Sequence, residues 1–247
     1  MRCRRLLILG GTTEGAALAR ALAGNARVEA VLSLAGVTRA PAASLLPVRV
    51  GGFGGAEGLA AFLREGGFDG LVDATHPYAV GISRNAVVAA GLAGVAFVRV
   101  ARPAWVAAPG DRWVAVGSLE EAAARLGAAP RRVLLTVGRK ELGAFAAAPW
   151  HRYVVRSVDA PDAGVLPGAV VVVARGPFAL EGELALMRGH GIEVVVTKNS
   201  GGLATAAKLE AARRLGVEVV MLERPAAVNG GANVADVGAA LRWLELD

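Results

Sequence analysis

The sequence predicts an α/β protein built as two doubly wound lobes with parallel sheets and a ligand cleft between them. Three observations predict it. Short apolar runs recur along the 247 residues and alternate with helical stretches. Runs that are apolar at every position, rather than at every second one, are strands covered on both faces. The pattern stops at residues 103–112, which carry Pro103, Pro109, Gly110 and Asp111, and then starts again. Glycine-rich or polar loops follow several of the runs, where open α/β sheets place their ligands. Each lobe is thus Rossmann-like. The expected division is 1–105 and 112–247, with over a hundred residues in each part; one continuous sheet is the alternative.

The elements follow in order. Residues 6–9, all Leu or Ile, read as a first strand, followed by a glycine-rich turn and a helix ending near Gly24. Residues 28–34 and 48–50 are the second and third strands. Gly51-Gly52 and a helix over 57–64 come next, then a fourth strand at 71–72, a helix over 80–93 and a fifth strand at 96–100. In the second part, 113–116 is a strand, and Ser118-Leu-Glu-Glu121 is a capping box that opens a helix to about Leu126. Residues 132–137, 153–158, 170–174, 193–197 and 218–222 complete the strands. The halves share architecture but no alignable repeat.

Composition narrows the function. The chain is 54% hydrophobic, yet no apolar run approaches the roughly 20 residues needed to span a bilayer. Its basic N-terminus is followed by only four apolar residues before Gly10, too few for a signal peptide. A cytoplasmic protein without a membrane partner is expected. A single cysteine, Cys3, leaves no internal disulfide or cysteine metal cluster. The three histidines, His76, His151 and His190, lack ligand spacing, so no metal is expected. The net charge of +6 is scattered, and 5% aromatic residues make no stacking platform, so the expected partner is a small polyanion rather than a nucleic acid. The sequence does not set the oligomeric state; a monomer is compatible with it.

The first loop, Gly10-Gly11-Thr12-Thr13-Glu14-Gly15, lies between strand and helix, as a dinucleotide fingerprint requires. Gly10 and Gly15 match its outer glycines, and Thr12 replaces the middle one. Glycines let backbone approach a pyrophosphate, and a helix N-terminus favours its charge. The plainer reading is an ordinary tight turn. An acid that would hold a ribose hydroxyl of NADH is missing after the second strand, where Ser33 and, further on, Arg39 stand instead. That combination favours a 2′-phosphate, hence NADPH.

The fourth strand ends in Asp73-Ala-Thr-His-Pro-Tyr78. Asp73, Thr75, His76 and Tyr78 bring four hydrogen-bonding side chains to one loop, and Pro77 bars helix at His76. The plainer reading makes Asp73 and Thr75 helix caps. Asp73 and Thr75 are assigned to the cofactor side, and His76 and Tyr78 are the catalytic candidates. His76 either orients the reacting groups or donates a proton, and Tyr78, water or a substrate carboxyl are other donors.

In the second part, Thr197-Lys-Asn-Ser-Gly-Gly202 follows an apolar strand and precedes Thr205 and Lys208. Lys198 is a point charge, and Asn199, Ser200 and the amides of Gly201 and Gly202 are donors, a set suited to anionic groups. Arg175, after another strand, and Arg139 with Lys140, after a third, are further counter-charges for carboxylates.

These motifs together carry a resemblance. Leu7-Ile-Leu-Gly-Gly-Thr12 with Glu14-Gly15, Asp73-Ala-Thr-His-Pro-Tyr-Ala79, Arg175-Gly-Pro-Phe178, Thr197 to Gly202 with Thr205 and Ala207-Lys208, and Glu223-Arg-Pro225 span nearly the whole chain. In this order they resemble the precorrin-6A reductases of cobalamin biosynthesis. The resemblance implies NADPH-dependent reduction of a double bond in the precorrin macrocycle, an oxidoreductase acting on CH–CH, with cofactor and substrate meeting at the cleft. Members act on a metal-free or a cobalt-bearing ring. Precorrins carry many acetate and propionate groups, which agrees with a basic protein.

Rival readings are an NADP-dependent reductase of another anionic small molecule and a non-catalytic two-lobed binding protein. A short-chain reductase needs Tyr-x-x-x-Lys, but Ile82 follows Tyr78 and Ser157 follows Tyr153 at that spacing. A methyltransferase would want the acid that is missing after the second strand.

Overall fold

The computed structural model describes residues 3–36, 43–162 and 164–245. They form two compact units, each a parallel six-stranded sheet between helices: 1–103 with 225–247, and 104–224.

The first unit contains β1 (Arg4–Leu9), α1 (Thr13–Leu22), β2 (Val28–Leu34), β3 (Val48–Val50), α2 (Ala56–Glu65), β4 (Gly70–Asp73), α3 (Val80–Ala93) and β5 (Ala96–Val100). Its spatial order is completed by a late strand at Ala232–Val234, which pairs in parallel with β5. Alternation in β1 splits the core in two. Leu6 and Ile8 pack with Leu18 and Leu22 of α1. Leu7 and Leu9 pack with Leu59 and Leu63 of α2 and Ala86 and Ala89 of α3. Leu6, Leu7 and Ile8 are wholly buried, so truncating one to Ala costs about 2–5 kcal/mol.

The second unit contains β6 (Trp113–Val116), α4 (Leu119–Arg125), β7 (Arg132–Leu135), a 3-10 helix over Arg139–Phe145, β8 (Arg152–Ser157), β9 (Val170–Val173), α5 (Leu180–Gly189), β10 (Val194–Lys198), a 3-10 turn at Leu203–Thr205, α6 (Ala207–Leu215) and β11 (Glu218–Leu222). One sheet face, with Leu134, Val154, Val195 and Val219, packs on Met187 of α5 and Leu209 and Ala212 of α6. The alternate residues Val133, Leu135, Val155, Val196 and Val220 face the other way and are equally buried. The capping box forms with a shifted partner. Ser118 accepts from the Glu121 N–H at 2.9 Å, but Glu121 reaches back to the Gly117 N–H at 2.7 Å.

The division corrects the expected one at its C-terminal end. The chain after Arg224 returns to the first unit, where β12 (Ala232–Val234) and α7 (Val237–Trp243) complete the sheet and cover α1. Ala240 and Leu244 of this segment are buried in the same core as Leu6, and Arg4 Nη1 donates to the Leu244 carbonyl at 2.8 Å. A three-residue strand of Ala, Asn and Val has too little apolar pattern to read from sequence.

Candidate active site

The first sheet runs β3-β2-β1-β4-β5-β12. Its order reverses between β1 and β4, which opens a crevice at their carboxyl ends. The loops that follow these two strands are the two singled out in the sequence. Gly11 has φ of 105°, and nothing lies within 4 Å of where its Cβ would stand. Such a backbone favours glycine and leaves room for a ligand. Gly15 serves packing: a Cβ there would sit 3.0 Å from Gly10 Cα and 3.6 Å from the Ala74 carbonyl. Gly10 likewise faces Leu32, 2.6 Å from its would-be Cβ. Thr12 caps α1, accepting from the Gly15 N–H at 3.1 Å, and donates its hydroxyl proton to the Ala74 carbonyl at 2.6 Å. Thr13 is exposed and donates to Glu14 at 3.1 Å. An open glycine before the positive end of α1 fits a pyrophosphate.

Glu14 would oppose an anion there, but it forms an ion pair with Arg102. Burial pushes its carboxyl up, and Arg102 with hydrogen bonds from its own amide, Thr13 and Thr12 outweighs this and holds it below the ordinary value. No motif announces Arg102, since its partner is 88 residues away.

Asp73 was expected to face the cofactor; instead both its oxygens serve the protein. It is 1% exposed. Oδ1 accepts from the Thr75 N–H at 3.0 Å and the Thr75 hydroxyl at 2.6 Å. Oδ2 accepts from the Ser83 hydroxyl at 2.6 Å and lies 3.5 Å from Arg99 Nε. Asp73 and Thr75 therefore brace the loop against α3. Past this brace, His76 and Tyr78 are half-buried, with ring centroids 5.6 Å apart. His76 Nδ1 accepts from the Tyr78 N–H at 3.3 Å, which leaves the proton of a neutral ring on Nε2.

Ser33 is buried at the end of β2, in register with Arg49 of β3. Arg49 donates to the carbonyls of Gly51 and Gly52 at 2.6 Å each and lies over the Phe53 ring. Arg39 lies outside the described residues.

The second sheet runs β9-β8-β7-β10-β11-β6 and reverses between β7 and β10. The loops after these strands hold Arg139 and residues 198–202. Glu141 ties them: it accepts from the Gly138 N–H at 2.7 Å and from Lys198 Nζ at 2.5 Å. Ser200 is buried, Gly201 has φ of 70°, and Gly202 is buried with its carbonyl 3.4 Å from the Thr205 hydroxyl. The loop after β9 docks here too. The Phe178 N–H donates to the Ala204 carbonyl at 3.0 Å, which leaves no room for a Cβ on Gly176 and carries the exposed Arg175 on this loop.

Two expected anion contacts are internal. The Asn199 side chain is taken by the Trp105 backbone. Lys208 is 4% exposed because the first turn of α6 points it inward, 5.1 Å from the centroid of the Trp105 ring. Burial, with Arg156 nearby, pulls its pKa down to about 7 against the opposing pull of Glu183. Arg156 and Glu183 form a buried ion pair beneath Phe178. Helical register decides this, and spacing along the loop carries no sign of it.

Among the described residues no cluster of His, Cys, Asp and Glu could hold a metal, and no helix is long and apolar enough to cross a membrane. Residues 5–245 match the family described as Precorrin-6x reductase CbiJ/CobK. The chain belongs to the precorrin-6x reductase family. A precorrin-6A reductase of Sinorhizobium sp is 52% identical over 221 residues, covering 89% of this chain and 85% of that one. Another, of Rhodococcus erythropolis, is 48% identical over 240 residues, 97% of each chain. The solved structure titled CobK precorrin-6A reductase superposes with a TM-score of 0.93 at 46% identity, over 98% of this chain and 96% of that one. The two parallel-sheet lobes are thus those of a precorrin-6x reductase, an oxidoreductase family.

Proposed function

We propose that this chain is a precorrin-6A reductase of cobalamin biosynthesis, reducing one double bond of the macrocycle with NADPH. The observation that carries the reading is that the strand order reverses between β1 and β4 in one sheet and between β7 and β10 in the other, and the motif loops stand at those points. The first pair suits a dinucleotide and the second a polycarboxylate.

NADPH, when bound, supplies the hydride. Gly10 to Gly15 and the amino end of α1 hold its pyrophosphate, with Arg102 as the nearby cation. Ser33 and Arg39 are the candidates for the 2′-phosphate, and no acid stands after β2 to repel it. Asp73 and Thr75 hold the loop that presents His76. His76 orients the ring or, as the imidazolium, gives up a proton and is left neutral, and Tyr78 is the alternative donor. Arg139, Arg175, Lys198, Ser200, the amides of Gly201 and Gly202, and Thr205 orient the carboxylates of the macrocycle. Such positioning turns an encounter of two ligands into an oriented reaction. The reading keeps the cytoplasmic location expected from the sequence.

The test is oxidation of NADPH by the purified protein on addition of precorrin-6A, run beside the cobalt-bearing ring. Calorimetry with NADPH and NADH gives the cofactor preference. Binding of precorrin-6A without NADPH oxidation would make this a binding protein. In Lys198→Ala and Arg175→Ala the KM for the macrocycle should rise while NADPH affinity stays near wild type; the reverse pattern would overturn the division of roles.

A further inference from the structure

Asn199 holds the chain at two distant places. Its Oδ1 accepts the Trp105 N–H at 2.7 Å and its Nδ2 donates to the Trp105 carbonyl at 3.0 Å, so one amide side chain satisfies both backbone groups of one residue. Its own carbonyl accepts from Arg224 Nε at 2.7 Å, and its N–H donates to the Leu222 carbonyl at 3.0 Å. Trp105 and Arg224 are not arbitrary partners. The second unit begins at Ala104 and ends at Arg224. The chain enters that unit one residue before Trp105 and leaves it at Arg224, and Asn199 grips it at both points.

Its place in sequence matters as much. Asn199 lies between Lys198, whose Nζ pairs with Glu141, and the buried Ser200. An anion that competes with Glu141 for Lys198 would act on the residue next to Asn199. Two hydrogen bonds between the Asn199 side chain and the Trp105 backbone, one from the Arg224 side chain and one to the Leu222 carbonyl tie this residue to both connecting segments. A surface asparagine meant to touch substrate would leave its amide to the solvent; this amide is engaged through both its oxygen and its nitrogen by the Trp105 backbone.

We propose that Asn199 is a positioning residue that carries the state of the loop 198–202 to the two segments through which the second unit joins the first. The proposal rests on the reductase reading. Hydride transfer is sensitive to small misplacements: an error of about 1 Å costs on the order of 10²-fold in rate. Loss of the grip should therefore appear in turnover and leave binding intact.

The test uses Asn199→Ala and Asn199→Asp in the full chain. The expected result is a fall in kcat of about tenfold or more, with KM for precorrin-6A and Kd for NADPH within about twofold of wild type. In Asn199→Asp a carboxylate still accepts the Trp105 N–H but confronts the Trp105 carbonyl. Its turnover should recover as falling pH protonates the carboxyl and restores a donor, a recovery Asn199→Ala cannot show. Hydrogen exchange at the Trp105 amide, slow in wild type and fast in Asn199→Ala, should also respond to precorrin-6A. A raised KM with unchanged kcat would make Asn199 a substrate contact. Unchanged kcat with a lowered Tm would make it a clamp of the second unit alone. Either outcome overturns the proposal, as does Trp105 exchange that Asn199→Ala leaves unaltered. The exchange measurement needs no turnover, so it stands apart from a failure of the reductase reading, which a wild-type protein inert towards NADPH and precorrin-6A would show.

Discussion

The hydroxyl of Thr12 donates to the carbonyl of Ala74 at 2.6 Å, and the same oxygen accepts the Gly15 N–H that opens α1. One side chain thus joins the loop after β1 to the loop after β4. The glycine turn and the segment bearing His76 are held in one frame although 62 residues separate Thr12 from Ala74. A threonine stands where a dinucleotide fingerprint has its middle glycine because this position makes a tie that glycine cannot make.

Gly11→Val is expected to abolish cofactor binding in a folded protein. The φ of 105° is strained for valine, at about 1–3 kcal/mol, but no atom lies within 4 Å to clash. Circular dichroism should show a native fold with a modestly lowered Tm, and calorimetry should show no NADPH heat. Tight NADPH binding by this variant would remove the loop from the site.

Arg102→Ala and Arg39→Ala should separate the pyrophosphate from the 2′-phosphate. Arg102 is paired with Glu14 at the glycine turn, and its loss leaves that carboxylate facing the ligand. NADPH and NADH should weaken alike, by roughly 1–3 kcal/mol, the typical worth of a hydrogen bond to a charged group. Arg39→Ala should weaken NADPH by a similar amount and spare NADH. Equal losses in Arg39→Ala would defeat the 2′-phosphate assignment.

His76→Ala should lower turnover more than cofactor affinity. General acid catalysis contributes about 10²–10⁴-fold. A loss of that size with one limb of the pH profile removed identifies the His76 imidazolium as the proton source. A smaller loss with an unchanged profile means orientation alone. Full turnover would pass the role to Tyr78 or water.

Lys208 makes stability depend on pH in a stated direction. Its folded pKa of about 7 lies below the ordinary 10.5. Between these values the unfolded chain holds a proton that the folded chain lacks, so stability rises with pH across that window and is flat below about 7 on this account. Lys208→Met should remove the rise and stabilise the second unit near neutrality by an amount on the order of a few kcal/mol, since a buried cation is replaced by an apolar chain. Denaturant melts at several pH values measure both. A wild-type curve with no alkaline rise would place the charge elsewhere.

The alternation of apolar runs with helical stretches determined the two sheets, because strands covered on both faces leave a strong local signal. The loops after β1, β4 and β10 were legible for the same reason, since glycines and clustered donors lie beside each strand in the chain. What each side chain does inside those loops was decided by tertiary structure. Asp73 and Asn199 looked like ligands by their neighbours, yet their partners, Ser83, Arg99, Trp105 and Arg224, come from other elements. Glu14 is answered by Arg102, and Lys208 is turned inward to Trp105, for which local spacing has no mark. The return of β12 and α7 to the first sheet was equally silent, because a three-residue edge strand is held by pairing with β5 and packing on the first core rather than by its own sequence. Local pattern records which backbone is buried; only the folded chain brings together the groups that satisfy a buried charge.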